Sequence, residues 1–244
     1  RNKTYMVHYP PAKKHVFQTT YFIFEAPMNT RICVFFLCLF LMQPFPARSQ
    51  DQLSCDELGE LSDALSELTD WVTSEGEKIE EGSETDKALG KLIQALKRVA
   101  KMEKNDRLDT AIKALHEAWK DEDGQWEQFP ATMAITTYEF DRIYYNAECE
   151  KNADKEYTTA ELSDLAYTLR QINGAIESEV KIIDGGHLDL AFENLLDDLK
   201  ELVDASENED LKKQVKTLQK AWKDMDWEKF AEICDGVADA VEEL

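Results

Sequence analysis

The chain has 244 residues, 43% of them hydrophobic, with 9 glycines and 6 prolines, which excludes a wholly disordered chain, a collagen and a many-turned all-β fold. Its formal charge is −22, a surplus of carboxylates that argues against nucleic acid and against an anionic membrane surface as partners. The charge is uneven: residues 1–49 hold six Lys/Arg and one Glu, so residues 50–244 carry 22 positive and 49 negative groups, a net of −27.

Residues 1–27 show no periodicity that assigns them a structure. Residues 28–49 read as a signal peptide. Met28 opens it, Arg31 supplies the positive end, Ile32 to Met42 form an uncharged apolar run, and Ala47-Arg48-Ser49 places small residues before a cut at Ser49/Gln50. Eleven residues rise only about 16 Å as a helix, roughly half of a bilayer core, which favours cleavage over a retained anchor. The mature product is therefore expected to be exported, periplasmic or secreted.

From Gln50 onward the pattern is helical. Leu58, Leu61, Leu65, Leu68 and Val72 recur at steps of three and four, as do Leu89, Leu92, Ile93, Leu96 and Val99, and then Leu108, Ile112, Leu115 and Trp119. A fourth helix is expected from about Trp126 to Cys149, with Pro130 near its start. The breaks at Glu81-Gly82-Ser83, Lys104-Asn105-Asp106 and Asp121-Glu122-Asp123-Gly124 are short, which makes successive helices antiparallel neighbours.

The pattern then repeats. The first heptad-like row maps onto Leu162, Leu165, Leu169, Ile172 and Ile176 at an offset of 104, and Leu96, Asn105, Leu108 and Leu115 map onto Leu199, Asn208, Leu211 and Leu218 at 103. Ala118-Trp119-Lys120-Asp121 matches Ala221-Trp222-Lys223-Asp224, and Trp126-Glu127-Gln128-Phe129 matches Trp227-Glu228-Lys229-Phe230. Ser54 with Glu57, Thr158 with Glu161, and Ser206 with Glu209 read as capping boxes. The expected fold is all-α, a tandem duplication of an up-down-up-down four-helix bundle, with unit 1 at 50–151 and unit 2 at 157–244.

The tryptophan pairs Trp119/Trp126 and Trp222/Trp227 read as plugs at one end of each unit. The neighbouring Asp121/Asp123 and Asp224/Asp226 lack the remaining ligands of a calcium loop, and Asp123 and Asp226 read as helix caps. The start of the first helix and the end of the fourth lie at the same end of such a bundle, so Cys55 and Cys149 are expected to form a disulfide. It would stabilise by about 4 kcal/mol in the chain-entropy account. Cys234 reads as a small buried residue and His116 as a surface one; His187 follows Gly185-Gly186 at a helix start. No His-Glu-x-x-His, Glu-x-x-His, Gly-rich phosphate loop or nucleophile elbow occurs, so no catalytic, cofactor or metal residues are assigned and the protein is expected not to be an enzyme.

An exported acidic bundle with this unit length resembles the soluble periplasmic cytochrome b family, best in unit 2, where Asp210 to Lys223 turns abruptly at Asp224-Met225-Asp226 into Trp227-Glu228-Lys229-Phe230-Ala231-Glu232. The resemblance covers roughly 85 residues per unit and rests on architecture, loop placement and helix spacing. It implies a four-helix fold and, in the family, haem held between a Met early in the first helix and a His late in the fourth. Here the Met positions fall near Ser62 and Ala166, and the His position near Tyr144 or Tyr145, or near Leu244 in unit 2. Met133 and Met225 lie at non-equivalent places and are expected to pack in the core.

The leading expectation is a non-catalytic binding or structural protein whose protein partner carries a basic surface. Tyr138, Phe140, Tyr144 and Tyr145 on the fourth helix read first as packing between the two units, a partner surface being the alternative. A haem or tetrapyrrole carrier is the runner-up, and low-affinity divalent-cation binding by the acidic faces the third reading.

Overall fold

The fold comes from a computed structural model, described here for residues 54–75, 79–120, 126–146, 158–178, 182–206 and 208–244, with side chains 70–75 excluded. Residues 28–49, read above as a signal peptide, and Asp121, Asp123 and Cys149 lie outside the described residues. Among those residues every regular element is helical. The order is α1 (Cys55–Glu75), α2 (Glu84–Glu103), α3 (Asp106–Lys120), a 3-10 turn (Trp126–Gln128), α4 (Phe129–Asn146), α5 (Thr159–Glu177), α6 (His187–Ser206), α7 (Glu209–Lys223) and α8 (Trp227–Glu242). None of these helices is long and apolar enough to cross a membrane.

Local chemistry sets the helix ends. Ser54 and Glu57 close a capping box on α1, with Ser54 N–H donating to Glu57 Oε2 (2.9 Å) and Glu57 N–H to Ser54 Oγ (3.3 Å). Thr158 and Glu161 do the same for α5. The third expected box does not form. Ser206 is the last residue of α6, where its hydroxyl donates to Val203 O, and Asn208 caps α7 by accepting from Leu211 N–H (3.1 Å). Asn105 accepts from Leu108 N–H (2.9 Å) in the same way, so the α2–α3 and α6–α7 connections share one cap. The fourth helix starts three residues later than expected. The 3-10 turn takes Trp126, and Pro130 then sits in the first turn of α4, where no intrahelical N–H is needed.

The apolar stripes meet in two cores. One is built from α1 to α4 around Leu65, Leu92, Leu96, Ile112, Phe129 and Phe140. The other centres on Leu169, Phe192, Leu199, Leu218, Phe230 and Val237 of α5 to α8, and it also takes in Ala111, Ala114, Ala131, Ile135 and Tyr138 from α3 and α4. Helix α4 packs against α1, α3 and α5, while α3 packs against α6, so the two halves share a continuous junction. That position explains why α4 is buried almost all round, including Thr132, Thr136, Glu139 and Asp141.

Candidate functional site

The turn entering α6 is tight. Gly186 N–H donates to Ile183 O (2.8 Å), and a Cβ on Gly186 would sit 2.8 Å from that same oxygen, so only glycine fits. Gly185 has φ +71° and donates its N–H to Asp189 Oδ2 (2.9 Å). The other oxygen of Asp189 accepts from Trp222 Nε1–H at 2.6 Å. This bond holds the Trp222 indole against Phe192 (ring centroids 3.9 Å), Phe230 (5.4 Å) and Trp227 (5.3 Å, interplanar angle 74°). The predicted end plug is therefore present in the last four helices, with Trp222 buried and Trp227 half-buried.

Beside this plug lies an open cleft of about 500 Å³. Trp222, Trp227 and Leu196 form apolar wall, and Met225 stands at its edge. Met225 has φ +54°, is 46% exposed, and lies where α7 turns into α8. The expectation that Met225 packs in the core is thus not met, because the left-handed turn between Asp224 and Asp226 carries it outward. Asp226 caps α8 as expected, accepting from Lys229 N–H (3.1 Å). Asp184, Glu193 and Asp197 line the same cleft with Asp189, and among the described residues the carboxylates of the first three make no ion pair or hydrogen bond. Lys223 is the cation in the lining.

At the corresponding end of the first four helices the same residue types are arranged differently. Gly82, at φ +78°, donates its N–H to Asp86 Oδ2 (3.0 Å), as Gly185 does to Asp189. Trp119 lies over Gly90, with its Cη2 3.3 Å from where a Cβ would be, so a larger residue there would press on the indole. Lys120 Nζ lies 3.5 Å from the centre of the Trp119 ring and 3.7 Å from Asp86 Oδ1. Trp126 stacks on Phe129 (4.6 Å, 12°), and half-buried His116 meets Trp119 edge-on (5.6 Å) rather than standing free on the surface.

A second polar constellation occupies the junction between the halves and was not singled out from the sequence. Asp198 on α6, whose side chain is 2% exposed, accepts from Arg107 through both terminal guanidinium nitrogens, from Arg142 Nη1 (2.5 Å) and from Tyr138 Oη (3.2 Å). Glu139, equally buried, accepts from Arg107 Nε (3.1 Å) and Nη2 (2.8 Å). Burial pushes the Glu139 carboxyl up and the Tyr138 hydroxyl up. His187 Nδ1 lies 2.6 Å from Glu117 Oε1, another α3–α6 contact.

The aromatic row, read from the sequence as packing between the units with a partner surface as the alternative, is divided between the two cores. Tyr138 (4% exposed) and Phe140 (fully buried) belong to the two cores and present no surface. Tyr144 packs against the first core near Gly59, and Tyr145 donates to Asp164 Oδ2 (3.1 Å) on α5. The row packs within and between the halves, because α4 has neighbours on opposite sides. Ser62 donates to Asp141 Oδ1 (2.6 Å), Ala166 is fully buried in the second core, and Met133 is buried in the first. Cys234 is buried as expected, with its thiol within reach of Leu169 O (3.4 Å), and burial pushes that thiol up. Among the described residues no group of three or more His, Cys, Asp or Glu side chains is placed to hold a metal ion. No family model, curated protein or solved structure matches the chain.

Proposed function

We propose that the chain is an exported, acidic, non-catalytic binding protein built by tandem duplication of one four-helix unit, and that its partner carries a basic surface. The observation that carries this reading is the cleft beside Trp222, where Asp184, Glu193 and Asp197 face one lysine and lack counter-charges among the described residues. Concave sites with apolar walls and a few uncompensated polar groups are where proteins bind ligands. The net −27 of residues 50–244 adds long-range attraction for cations.

Several matched details support the duplication. Helices α2 and α6 both have 20 residues, and α3 and α7 both have 15. Asn105 and Asn208 make the same cap, and Gly82 and Gly185 make the same left-handed turn onto an aspartate four residues later. The mature protein, used as bait in the native exported fraction, is expected to retain basic proteins and release them as salt rises toward about 0.5 M, where screening shortens to a few ångströms. Retention of nothing, or retention indifferent to salt, counts against the reading.

The Cys55–Cys149 disulfide belongs to the same proposal. Gly59 lies against the Tyr144 ring (3.8 Å from where a Cβ would be), which brings the start of α1 beside the end of α4. Mass spectrometry of the unreduced mature protein is expected to recover one linked peptide containing both cysteines; two free thiols there would refute it.

A further inference from the structure

The two tryptophan ends differ in one respect that points to a ligand. In the first four helices an ammonium already occupies the indole and carboxylate: Lys120 Nζ, 3.5 Å from the Trp119 ring centre and 3.7 Å from Asp86. That is cation–π attraction combined with an ion pair, the chemistry by which aromatic cages hold alkylammonium groups. In the last four helices, Trp222 has turned inward to donate to Asp189, and Lys223 makes no ion pair among the described residues. The cleft lies beside Trp222. The residues that line it also differ: at the offset of 103, Glu193 replaces Gly90 and Asp197 replaces Gln94. So the half with an open cleft carries two additional carboxylates, and the half with a seated lysine lacks both.

We infer that the cleft between α6, α7 and the start of α8 binds a small linear polyamine, one ammonium lying between Glu193 and Asp197 and the alkyl chain lying along Trp222, Trp227 and Met225. This deepens the binding role proposed above and rests on it. Four carboxylates, Asp184, Asp189, Glu193 and Asp197, against Lys223 leave a net charge of −3, which suits a ligand with two or three ammonium groups better than a single cation. A volume of about 500 Å³ lies in the range of small-molecule sites and exceeds what a metal ion needs. Apolar wall on one side and carboxylates on the other suit methylene groups joined to charged ends, and suit a hydrated inorganic cation poorly. A lysine side chain of a protein partner would offer the same ammonium chemistry, and the experiment separates the two.

Titration of the mature full-length protein with putrescine or spermidine at about 0.15 M salt, followed by calorimetry and indole fluorescence, is expected to give saturable binding at one equivalent. The double variant Glu193→Gln/Asp197→Asn removes two charges from exposed helix positions and is expected to weaken binding about tenfold or more. The control Glu201→Gln/Glu209→Gln makes the same change in total charge outside the cleft and is expected to leave the affinity within about twofold. Far-ultraviolet circular dichroism of both variants checks that the helices persist. No saturable binding, equal loss in both double variants, or displacement of the amine by Mg²⁺ at equal ionic strength would each overturn the inference. A lysine-rich peptide that binds in a salt-sensitive manner while putrescine neither binds nor displaces it would overturn the polyamine and leave the basic-partner reading standing. Failure of the peptide and of the bait experiment together would remove that reading as well.

Discussion

Replacing Asp198 by alanine is expected to lower the stability of the fold by about 3 kcal/mol, read from the shift in urea midpoint. The carboxylate is 2% exposed and is the shared acceptor for Arg107, Arg142 and Tyr138. Without it, Arg107 retains Glu139, whereas Arg142 and the Tyr138 hydroxyl lose their described acceptor. Breaking one side of a buried pair costs more than the pair itself contributes, because the surviving charge has lost its hydration and its partner. Arg107 and Arg142 keep 31% and 29% of their side chains exposed, so water softens the penalty, which sets the figure at the lower end of the usual range. Asp239→Ala offers the contrast. Its pair with Arg170 is on the surface, with Asp239 71% exposed, and the same measurement is expected to show less than about 1 kcal/mol. Equal effects at the two sites would mean that the junction cluster is not coupled to folding.

Lowering the pH from 8 to 5 is expected to stabilise the fold, the reverse of what an acid-labile protein shows. Burial pushes the carboxyl of Asp141 up to about 7; Asp164 and Asp63 add to the effect, and the hydrogen bond from Ser62 opposes it. Free aspartate titrates near 3.9. A carboxyl raised in the folded state takes up a proton there first, so its contribution is complete below about pH 4 and is lost as the pH rises through about 7. The difference between the two values corresponds to about 4 kcal/mol. Asp164 and Glu139, also raised by burial, act in the same direction. Glu242, held below its usual value by Arg170, acts in the opposite sense, but it is exposed and screened. Asp141→Asn keeps an acceptor for Ser62 and removes the charge. It is expected to be more stable than the parent at pH 8 and to approach it near pH 4. Parallel urea midpoints for the two proteins across that range would refute the assignment.

Most of the helical framework was legible in the sequence because its cause is local. The three- and four-residue steps of Leu58 to Leu68 mark a stripe that packs, and Ser54/Glu57 and Thr158/Glu161 form the reciprocal bonds their spacing predicts. Ser206/Glu209 satisfied the same rule and failed, because Asn208 sits closer to the first free N–H groups and takes the cap. What periodicity could not reveal was the junction. No apolar step marks Glu139, Asp141 and Arg142, yet Asp141 bonds Ser62 on α1 and Arg142 bonds Asp198 on α6. Burial on opposite sides of one helix is a property of how two stripes dock, and no single stripe records it. The aromatic row does what its leading reading expected and packs between the halves, through Tyr138 and Tyr145. Tyr138 looked like surplus on a helix with its own core, and it serves the other half's core.

The junction cluster has a further consequence for assembly. If the chain arose by duplication, as proposed, a head-to-tail contact between like units could continue indefinitely into a filament. The residues of this contact are not repeated in the second half. At the corresponding positions of the second half, Arg107 is replaced by Asp210, Tyr138 by Asp239, Glu139 by Ala240 and Arg142 by Glu243, while Asp198 has Ala95 as its counterpart in the first half. The donor face exists only on the first unit and the acceptor only on the second. A second contact of this kind, made by the second half, would therefore meet carboxylates where it needs guanidinium groups.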